Sequence, residues 1–378
     1  MNPADKEERG IKKLKPFEKK LLGIVIALIV ITAGFAIFYT IENRSPSGKT
    51  LVICTYGGLL SYGSNKNQTY STVFGTFEKE YGVNIKIVTP STGCLPALES
   101  RKNNEIANIV IGLTNLNGIK AASDGLLVKY TAPENFVNNT LMQEMGSASS
   151  YLTPYEYSYL GIDYNKTGQA SGQFNPTFNN LLTKQNASNL LMENPTTSDT
   201  GEGFLLWEIS YYENVLHQNW TTFWSSIKQF DGNNIYDSWS SAFTQFESSS
   251  PQTLLVSYLT DPAYNVYFGY GNDVNSTVTQ YNGKEYGWRT IYNIGIVNGS
   301  GNLSLEKEFV NYFLSPTVQN EIPTNEWMYP ANSTIVMPPS YSATMNQSSI
   351  IPLNNYISAQ EIYNNSESWI LQWQSIME

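Results

Sequence analysis

Short apolar runs rich in β-branched residues alternate with helical patterns, and this alternation restricts the fold more than any other feature. The runs are Thr50–Thr55, Val83–Val88 and Ile109–Leu113. A helical pattern that ends at Gly82 separates the first two runs, and a short helix over Leu95–Asn103 separates the last two. Strand, helix, strand, helix and strand at this spacing predict a parallel α/β sheet.

A second α/β unit is predicted further along the chain. Tyr155–Tyr164 and Ile291–Val297 read as long strands that could cross between two lobes. The other expected elements are strands over Asn189–Glu193 and Thr253–Tyr258 and helices over Glu202–Tyr212 and Leu305–Leu314. The length after the N-terminal region, about 330 residues, suffices for two lobes.

The N-terminal region predicts a membrane anchor. Leu21–Tyr39 carries no charge and would span about 30 Å as a helix, which matches the hydrocarbon core of a bilayer. Lysines precede this run, so the N-terminus is expected in the cytoplasm. We therefore predict a cytoplasmic tail over residues 1–20, a single transmembrane helix over 21–41 and a linker over 42–49. A cleaved signal peptide is the alternative interpretation.

The charge of the remaining chain excludes some classes of partner. Of the 22 lysines and arginines, 8 lie in residues 1–44, as do 5 of the 32 aspartates and glutamates. This leaves 14 basic and 27 acidic residues and a net charge of −13. Such a surface argues against nucleic acid as a partner and suits a cationic ligand.

Asparagine sequons favour an extracellular, glycosylated surface. The asparagines of these sequons are Asn67, Asn138, Asn165, Asn186, Asn219, Asn275, Asn298, Asn302, Asn332, Asn346 and Asn364.

Catalytic motifs are scarce. His217 is the single histidine, which nearly excludes a serine–histidine triad or a zinc site. The two cysteines, Cys54 in the first strand and Cys94 after the second, could form a disulfide or remain as two buried thiols. The sequence leaves both states open.

Binding residues are more numerous, and they follow predicted strands. Ligands of α/β sheets lie at the carboxyl ends of the strands. Ser198-Asp199-Thr200-Gly201 precedes a helix, so its hydroxyls and amides could hold a polar group. Aromatic residues at loop positions could grip a flat, cationic ring by stacking. They are Tyr56, Tyr62, Trp239, Tyr258, Tyr264 and Trp327.

One of these aromatic residues, Trp327, lies between two prolines in IPTNEWMYP (Ile322–Pro330). Proline fixes φ, so Pro323 and Pro330 are expected to hold the indole rigidly. We predict that Trp327 is a binding residue rather than a core residue.

The motifs together resemble the thiamine-binding proteins of bacterial ABC importers, in the type II periplasmic-binding-protein superfamily. The resemblance extends over nearly the whole chain after the anchor. The stretches that carry it are PTTSDTGEGFLLW (195–207), SWSSAF (238–243), SYLTDPAY (257–264), LSPTVQNEIPTNEWMYP (314–330) and SWILQW (368–373).

The resemblance implies an α/β fold of two lobes that close on thiamine or a thiamine phosphate. Lobe 1 would comprise residues 50–155 and about 293–330, and lobe 2 residues 156–292. The C-terminal segment, residues 331–378, is assigned to neither lobe. It implies a monomer with an ABC permease as partner and no cofactor beyond the transported ligand. The implied ligand-binding residues are Tyr56, Thr92, Gly93, Ser198, Trp239, Tyr258, Tyr264 and Trp327.

Two departures from the family pattern concern charge. Thr92 and Thr114 stand where the family usually has aspartate, and Glu326, beside Trp327, is a candidate replacement for the missing charge.

We therefore expect a membrane-anchored extracellular receptor for thiamine. The alternatives are a thiaminase-I-like enzyme with Cys94 as nucleophile and a binding protein for another small cation, such as a polyamine.

Overall fold

The structure is a computed structural model that describes residues 50–100, 107–133, 137–165, 177–231, 234–248, 253–271 and 273–378. The predicted transmembrane helix over residues 21–41 lies outside the described residues. Within the described ranges, no helix is both long enough and apolar enough to cross a membrane.

The described chain is a mixed α/β fold. Its strands are β1 Thr50–Cys54, β2 Asn84–Val88, β3 Ile109–Leu113, β4 Leu152–Asn165, β5 Leu190–Glu193, β6 Ile235–Tyr236, β7 Leu254–Tyr258, β8 Val274–Thr277, β9 Thr279–Tyr281, β10 Lys284–Gly287, β11 Arg289–Ile296, β12 Tyr329–Pro330 and β13 Ile350–Pro352.

The helices alternate with these strands as the sequence predicts. They are α1 Lys66–Tyr70, α2 Thr76–Tyr81, α3 Cys94–Ser100, α4 Asn115–Ser123, α5 Asn139–Glu144, α6 Phe178–Leu181, α7 Lys184–Asn189, α8 Asp199–Ser210, α9 Thr221–Asp231, α10 Trp239–Glu247, α11 Asp261–Tyr267, α12 Leu303–Phe313, α13 Pro316–Gln319, α14 Ile322–Asn325 and α15 Ala359–Met377.

The first predicted sheet is confirmed. Strand β1 pairs in parallel with β2 and β3, and β11 joins β3 antiparallel. Gly82 ends α2 in the left-handed conformation, at φ 62°, as the sequence indicates. We call β1, β2, β3, β11 and the beginning of β4 the first half of the sheet.

The second predicted unit is confirmed as well. Strand β5 pairs in parallel with β6 and β7, and β7 joins the end of β4 antiparallel. We call β5, β6, β7, β8 and the end of β4 the second half of the sheet. The carboxyl ends of the parallel strands in each half carry the loops of interest.

The long strand β4 joins the two halves. Its residues 152–159 pair with β11, and its residues 160–164 pair with β7. The prediction that Tyr155–Tyr164 forms a crossing strand is therefore confirmed. Since one continuous strand belongs to both halves, it brings the loops of one half close to those of the other.

Aromatic residues fill the core behind the second half. Phe178 contacts Phe204 and Phe223, with ring centroids 5.9 and 5.6 Å apart, and Trp207 at 4.9 Å. Trp207 is fully buried. Burial of such rings contributes a large share of the apolar area that stabilises a fold.

The C-terminal helix α15 contacts both halves of the molecule. Its Tyr363 hydroxyl donates to Asp124, which follows α4, at 2.8 Å. Its Trp373 ring meets Trp224 of α9 edge-on at 5.8 Å. The C-terminal segment, residues 331–378, which the sequence assigns to neither lobe, therefore packs through α15 against elements of both halves.

One predicted sequon is buried. Asn332 is 0% exposed, and its side-chain amide donates to the carbonyl oxygen of Leu314 at 3.1 Å. Its side-chain oxygen accepts from the amide of Thr334 at 3.0 Å. This asparagine is unavailable for glycosylation in the folded protein, whereas Asn67 and Asn219 are exposed.

Candidate ligand-binding site

Aromatic side chains from both halves of the sheet form one connected network. The ring centroids of Tyr56, which follows β1, and Tyr292 of β11 lie 6.2 Å apart. The hydroxyls of Tyr292 and Tyr258, at the end of β7, are 2.7 Å apart. Trp239, the first residue of α10, lies 6.2 Å from Tyr258 and meets Tyr62 edge-on at 6.1 Å. The carboxyl ends of the strands therefore bring distant residues together.

The network continues towards the predicted Trp327 motif. Trp239 stacks on Phe243 at 4.8 Å, and Phe243 meets Tyr264 edge-on at 6.3 Å. Tyr264 in turn meets Trp327 edge-on at 5.2 Å. The structure therefore connects all six loop aromatic residues that the sequence predicts for the site, Tyr62 included.

A glycine allows Tyr56 to lie against the sheet. Gly112 of β3 has φ 97°, in the region that favours glycine. A Cβ atom there would lie 2.5 Å from the ring of Tyr56. Any other residue at position 112 would therefore displace the ring.

Trp327 is packed rather than open to solvent. Its side chain is 5% exposed, and its indole nitrogen donates to the carbonyl oxygen of Tyr62 at 3.1 Å. The rings of Tyr267, at the end of α11, and of Phe268, the next residue, lie 5.1 and 5.6 Å from its ring. Its φ of 58° is strained for a bulky residue. Packing thus holds Trp327 in place, and its role as a ligand contact stays a prediction.

Ser198 caps the helix that the sequence places after it. Its hydroxyl accepts from the amide of Gly201 at 3.5 Å, and α8 begins at the next residue. Thr200, in the first turn, lies 3.2 Å from the hydroxyl of Tyr258. The start of α8 therefore adjoins the aromatic network.

The start of α8 also meets the start of α4 in the first half. Asn117 donates to Asp199 at 3.0 Å. Thr114, the N-cap of α4, hydrogen-bonds Glu202. Burial raises the pKa of Asp199 to about 6 and raises the pKa of Glu202 well above its usual range. Thr114 thus meets Glu202 of the other half, and Asn117 meets Asp199.

Two further carboxyl groups lie beneath Tyr56. Its hydroxyl donates to Glu326 at 2.9 Å and lies 3.5 Å from Glu156 of β4. Glu326 also accepts from the amide of Leu60. Burial raises the pKa of both glutamates, and repulsion from Glu326 raises the pKa of Glu156 further. Glu326 thus lies near a second buried carboxyl group, and burial opposes the negative charge that the sequence suggests for it.

Thr92 and Gly93 are the predicted site residues that the structure does not bring into the network. Both are exposed, and Gly93 adopts φ 83°. The backbone hydrogen bonds of Gly93 are local: its amide donates to the carbonyl oxygen of Pro90 at 3.0 Å. Their role in binding stays a prediction.

Cys54 and Cys94 form a disulfide, with Cα atoms 5.9 Å apart. This settles the state that the sequence leaves open, and it ties the start of α3 to β1. The chain has two cysteines, so neither retains a free thiol. A Cys94 nucleophile has no thiolate in this state.

Sequence reasoning missed Tyr292, Asn117 and Glu156. Tyr292 and Glu156 lie inside strands, where alternation resembles ordinary core packing. Asn117 occupies the first turn of a helix that continues a strand. Only Asn117 offered a positional signal, because it lies at the start of a helix.

Solved structures decide the fold. A periplasmic thiamin binding protein superposes with a TM-score of 0.71 at 21% identity, over 89% of this chain and 98% of that one. The chain has the type II periplasmic-binding-protein fold. A periplasmic binding protein from Actinobacillus pleuropneumoniae with bound fructose-6-phosphate shares it, with a TM-score of 0.69 at 17% identity over 88% of this chain and 99% of that one. An iron-bound protein from Pseudomonas aeruginosa, HitA, does so with a TM-score of 0.66 at 15% identity, over 87% and 99% of the two chains.

Sequence relatives confirm the resemblance that the motifs predict. The thiamine-binding periplasmic protein of Salmonella typhimurium is 25% identical over 305 residues, which cover 79% of this chain and 85% of the relative. That of Brucella suis is 25% identical over 336 residues, which cover 86% and 91%. No family model matches the chain. These relatives are named as binding proteins and not as enzymes.

Proposed function

We propose that this chain is an extracellular binding protein that captures thiamine for an ABC importer and performs no chemistry on it. The observation that carries the proposal is the aromatic network, since Tyr56, Trp239, Tyr258, Tyr264 and Trp327 converge from separate strands and loops. Relatives named for thiamine binding support the choice of ligand.

The chemistry of thiamine fits these side chains. Its thiazolium ring is a permanent cation, and its aminopyrimidine ring is flat. Aromatic faces attract such a cation by about 0.5–2 kcal/mol each, and the carboxyl groups of Glu156 and Glu326 adjoin the network through Tyr56. A flat cation would thus meet stacking surfaces and opposite charge together.

Unphosphorylated thiamine is the preferred ligand in this proposal. A diphosphate would extend towards the start of α8, where helix amides favour anions. Asp199 and Glu202 lie in that first turn and oppose a bound anion. Thiamine phosphates would therefore bind less tightly.

We propose further that residues 21–41 anchor the receptor in the cell membrane, with the binding domain outside. The anchor would keep the receptor close to a permease. Closure of the two lobes around the ligand would then signal the loaded state to that permease. The receptor would act as a monomer.

The enzyme alternative loses its main support. It requires a Cys94 thiolate, and Cys94 is bonded to Cys54. A polyamine receptor stays the alternative, because the carboxyl groups of Glu156, Glu326 and Asp199 adjoin the aromatic network. The relatives named for thiamine binding favour thiamine over a polyamine.

Calorimetry of the full-length chain tests the proposal. We expect binding heat with thiamine and none with putrescine at the same concentration. Trp239→Ala should weaken thiamine binding by about 1–3 kcal/mol, roughly 5- to 150-fold. Tyr281→Ala removes a tyrosine that is 40% exposed on β9 and should leave binding unchanged. Tighter binding of putrescine than of thiamine would overturn the proposal.

A further inference from the structure

Two carboxyl groups that are distant in sequence converge on one hydroxyl. Glu156 belongs to β4, and Glu326 follows α14. The hydroxyl of Tyr56 donates to Glu326 at 2.9 Å and lies 3.5 Å from Glu156. Glu156 is 1% exposed, and its Oε2 atom is buried with no hydrogen-bond partner. We call Glu156 and Glu326 the carboxylate pair.

A compensating cation for the pair is not found among the described residues. In the described part of the chain, neither carboxyl group forms an ion pair with a lysine or arginine. The groups that face the pair are the tyrosines of the loop after β1, of β4, of β11 and of the 3₁₀ turn at Pro339–Ala343, namely Tyr56, Tyr62, Tyr155, Tyr292 and Tyr341. Lys66 lines the crevice beside Tyr56, and it is not among the groups that shift the pKa of either glutamate.

Physical chemistry limits the charge that such a pair can carry. Two buried carboxylates that repel each other cannot both ionise without a cation, so one of them retains a proton. Burial raises the pKa of each group, in agreement with this argument. A metal ion is a poor substitute, because the described residues include no group of three acidic, histidine or cysteine side chains that could hold one.

We propose that the carboxylate pair shares one proton in the ligand-free protein and releases it to solvent when a monocationic ring binds against Tyr56. This inference rests on the proposed function. The charge balances, since the ligand's positive charge replaces the proton's. The unpartnered Oε2 atom of Glu156 belongs to the buried carboxyl group whose negative charge the ligand would offset.

The consequence is a linkage between affinity and pH. Below the pKa of the pair, each bound ligand must displace one proton, so affinity rises about tenfold per pH unit. Above that pKa, the pair is already ionised and the affinity becomes constant. The thiazolium ring of thiamine keeps its positive charge as the pH changes. A pH dependence of the affinity would therefore arise from ionisable groups of the protein.

Calorimetry of thiamine binding to the full-length chain, in two buffers of different ionisation enthalpy, measures the released protons directly. We expect release of up to one proton per ligand and an affinity ~10–100-fold tighter at about pH 8 than at about pH 6. The double variant Glu156→Gln/Glu326→Gln should release no proton and bind thiamine with an affinity that does not depend on pH. Glu208→Gln, at a fully buried glutamate of α8 outside the network, is the matched control and should behave as the wild type.

The outcomes separate the two proposals. Thiamine binding without proton release by the wild type overturns this inference and leaves the proposed function standing, even if the double variant fails to fold. Release that persists in the double variant assigns the proton to other groups, such as Asp199 and Glu202, and also overturns it. An absence of thiamine binding at every pH overturns the proposed function itself.

Discussion

At the scale of single residues, the difference between a packed side chain and a binding side chain is small in this site. Trp327 is 5% exposed and strained at φ 58°, yet its ring meets Tyr264, which the sequence assigns to ligand binding. A ring fixed in this way loses little entropy when a ligand stacks beside it. The same packing makes its removal costly for the fold.

We therefore expect Trp327→Ala to act on both properties. Thiamine affinity should fall by about 1–3 kcal/mol, because a cation–π face is lost. Stability without ligand should fall by about 3–5 kcal/mol, because a buried ring leaves a cavity. Trp327→Phe should recover part of each. Affinity and chemical denaturation of the ligand-free protein measure the two effects, and unchanged affinity in the folded Ala variant would show that Trp327 only packs.

A buried ion pair gives a second prediction at this scale. Arg289 of β11 bonds Glu144 at 2.5 Å, and the glutamate side chain is fully buried. Glu144→Ala would leave a buried, unpaired guanidinium and should destabilise the fold by about 3–5 kcal/mol. Lys120→Ala breaks two more exposed pairs, with Glu99 and Asp124, and should cost less than about 1 kcal/mol. Denaturant titration of both variants compares the costs, and equal costs would contradict the argument.

At the scale of elements, the site is built from strand ends and helix starts. The starts of α4 and α8 face each other across the two halves, joined by Asn117 and Asp199. Helix starts attract anions, but here a carboxyl group occupies the position. Binding selectivity therefore depends on whether that carboxyl group is charged.

The Asp199 carboxyl group predicts a selectivity that changes with pH. Burial raises its pKa to about 6, so it is neutral below that pH and repels a diphosphate above it. The preference for thiamine over thiamine diphosphate should therefore increase as pH rises through about 6, by about 1 kcal/mol. Asp199→Asn should lose that increase. Competition calorimetry at several pH values measures the ratio, and a ratio that depends on pH equally in the variant would contradict the role of Asp199.

Elements were predictable from sequence to the extent that their signals are local. The runs around β1, β3 and β7 predict strands within one or two residues, and the motifs after them predict the site aromatics. The partners of those aromatics were not predictable. Tyr56 meets Glu326 across 270 positions, and no local periodicity records such a contact. The hairpin of β9 and β10 was missed for a related reason, because it is short and only partly buried.

At the scale of the whole molecule, two structures tie the halves together. Strand β4 runs through both halves of the sheet, and α15 packs behind both halves through Tyr363 and Trp373. Any movement of one half relative to the other must bend these connections. The disulfide between Cys54 and Cys94 is confined to the first half and does not restrain such a movement.

The final prediction concerns the folding unit. Residues 46–378 contain every element described here, so this fragment should fold without residues 1–45 and bind thiamine as a monomer. We expect its affinity to lie within about 0.5 kcal/mol of that of the full chain, because no described site residue is lost. A fragment that also lacks α15 is the control and should lose cooperative unfolding, since Trp224 and Asp124 lose their partners. Calorimetry and sedimentation test both fragments. No heat and no thermal shift with the longer fragment at ~1 mM thiamine would mean that the N-terminal region is needed for the fold or the site.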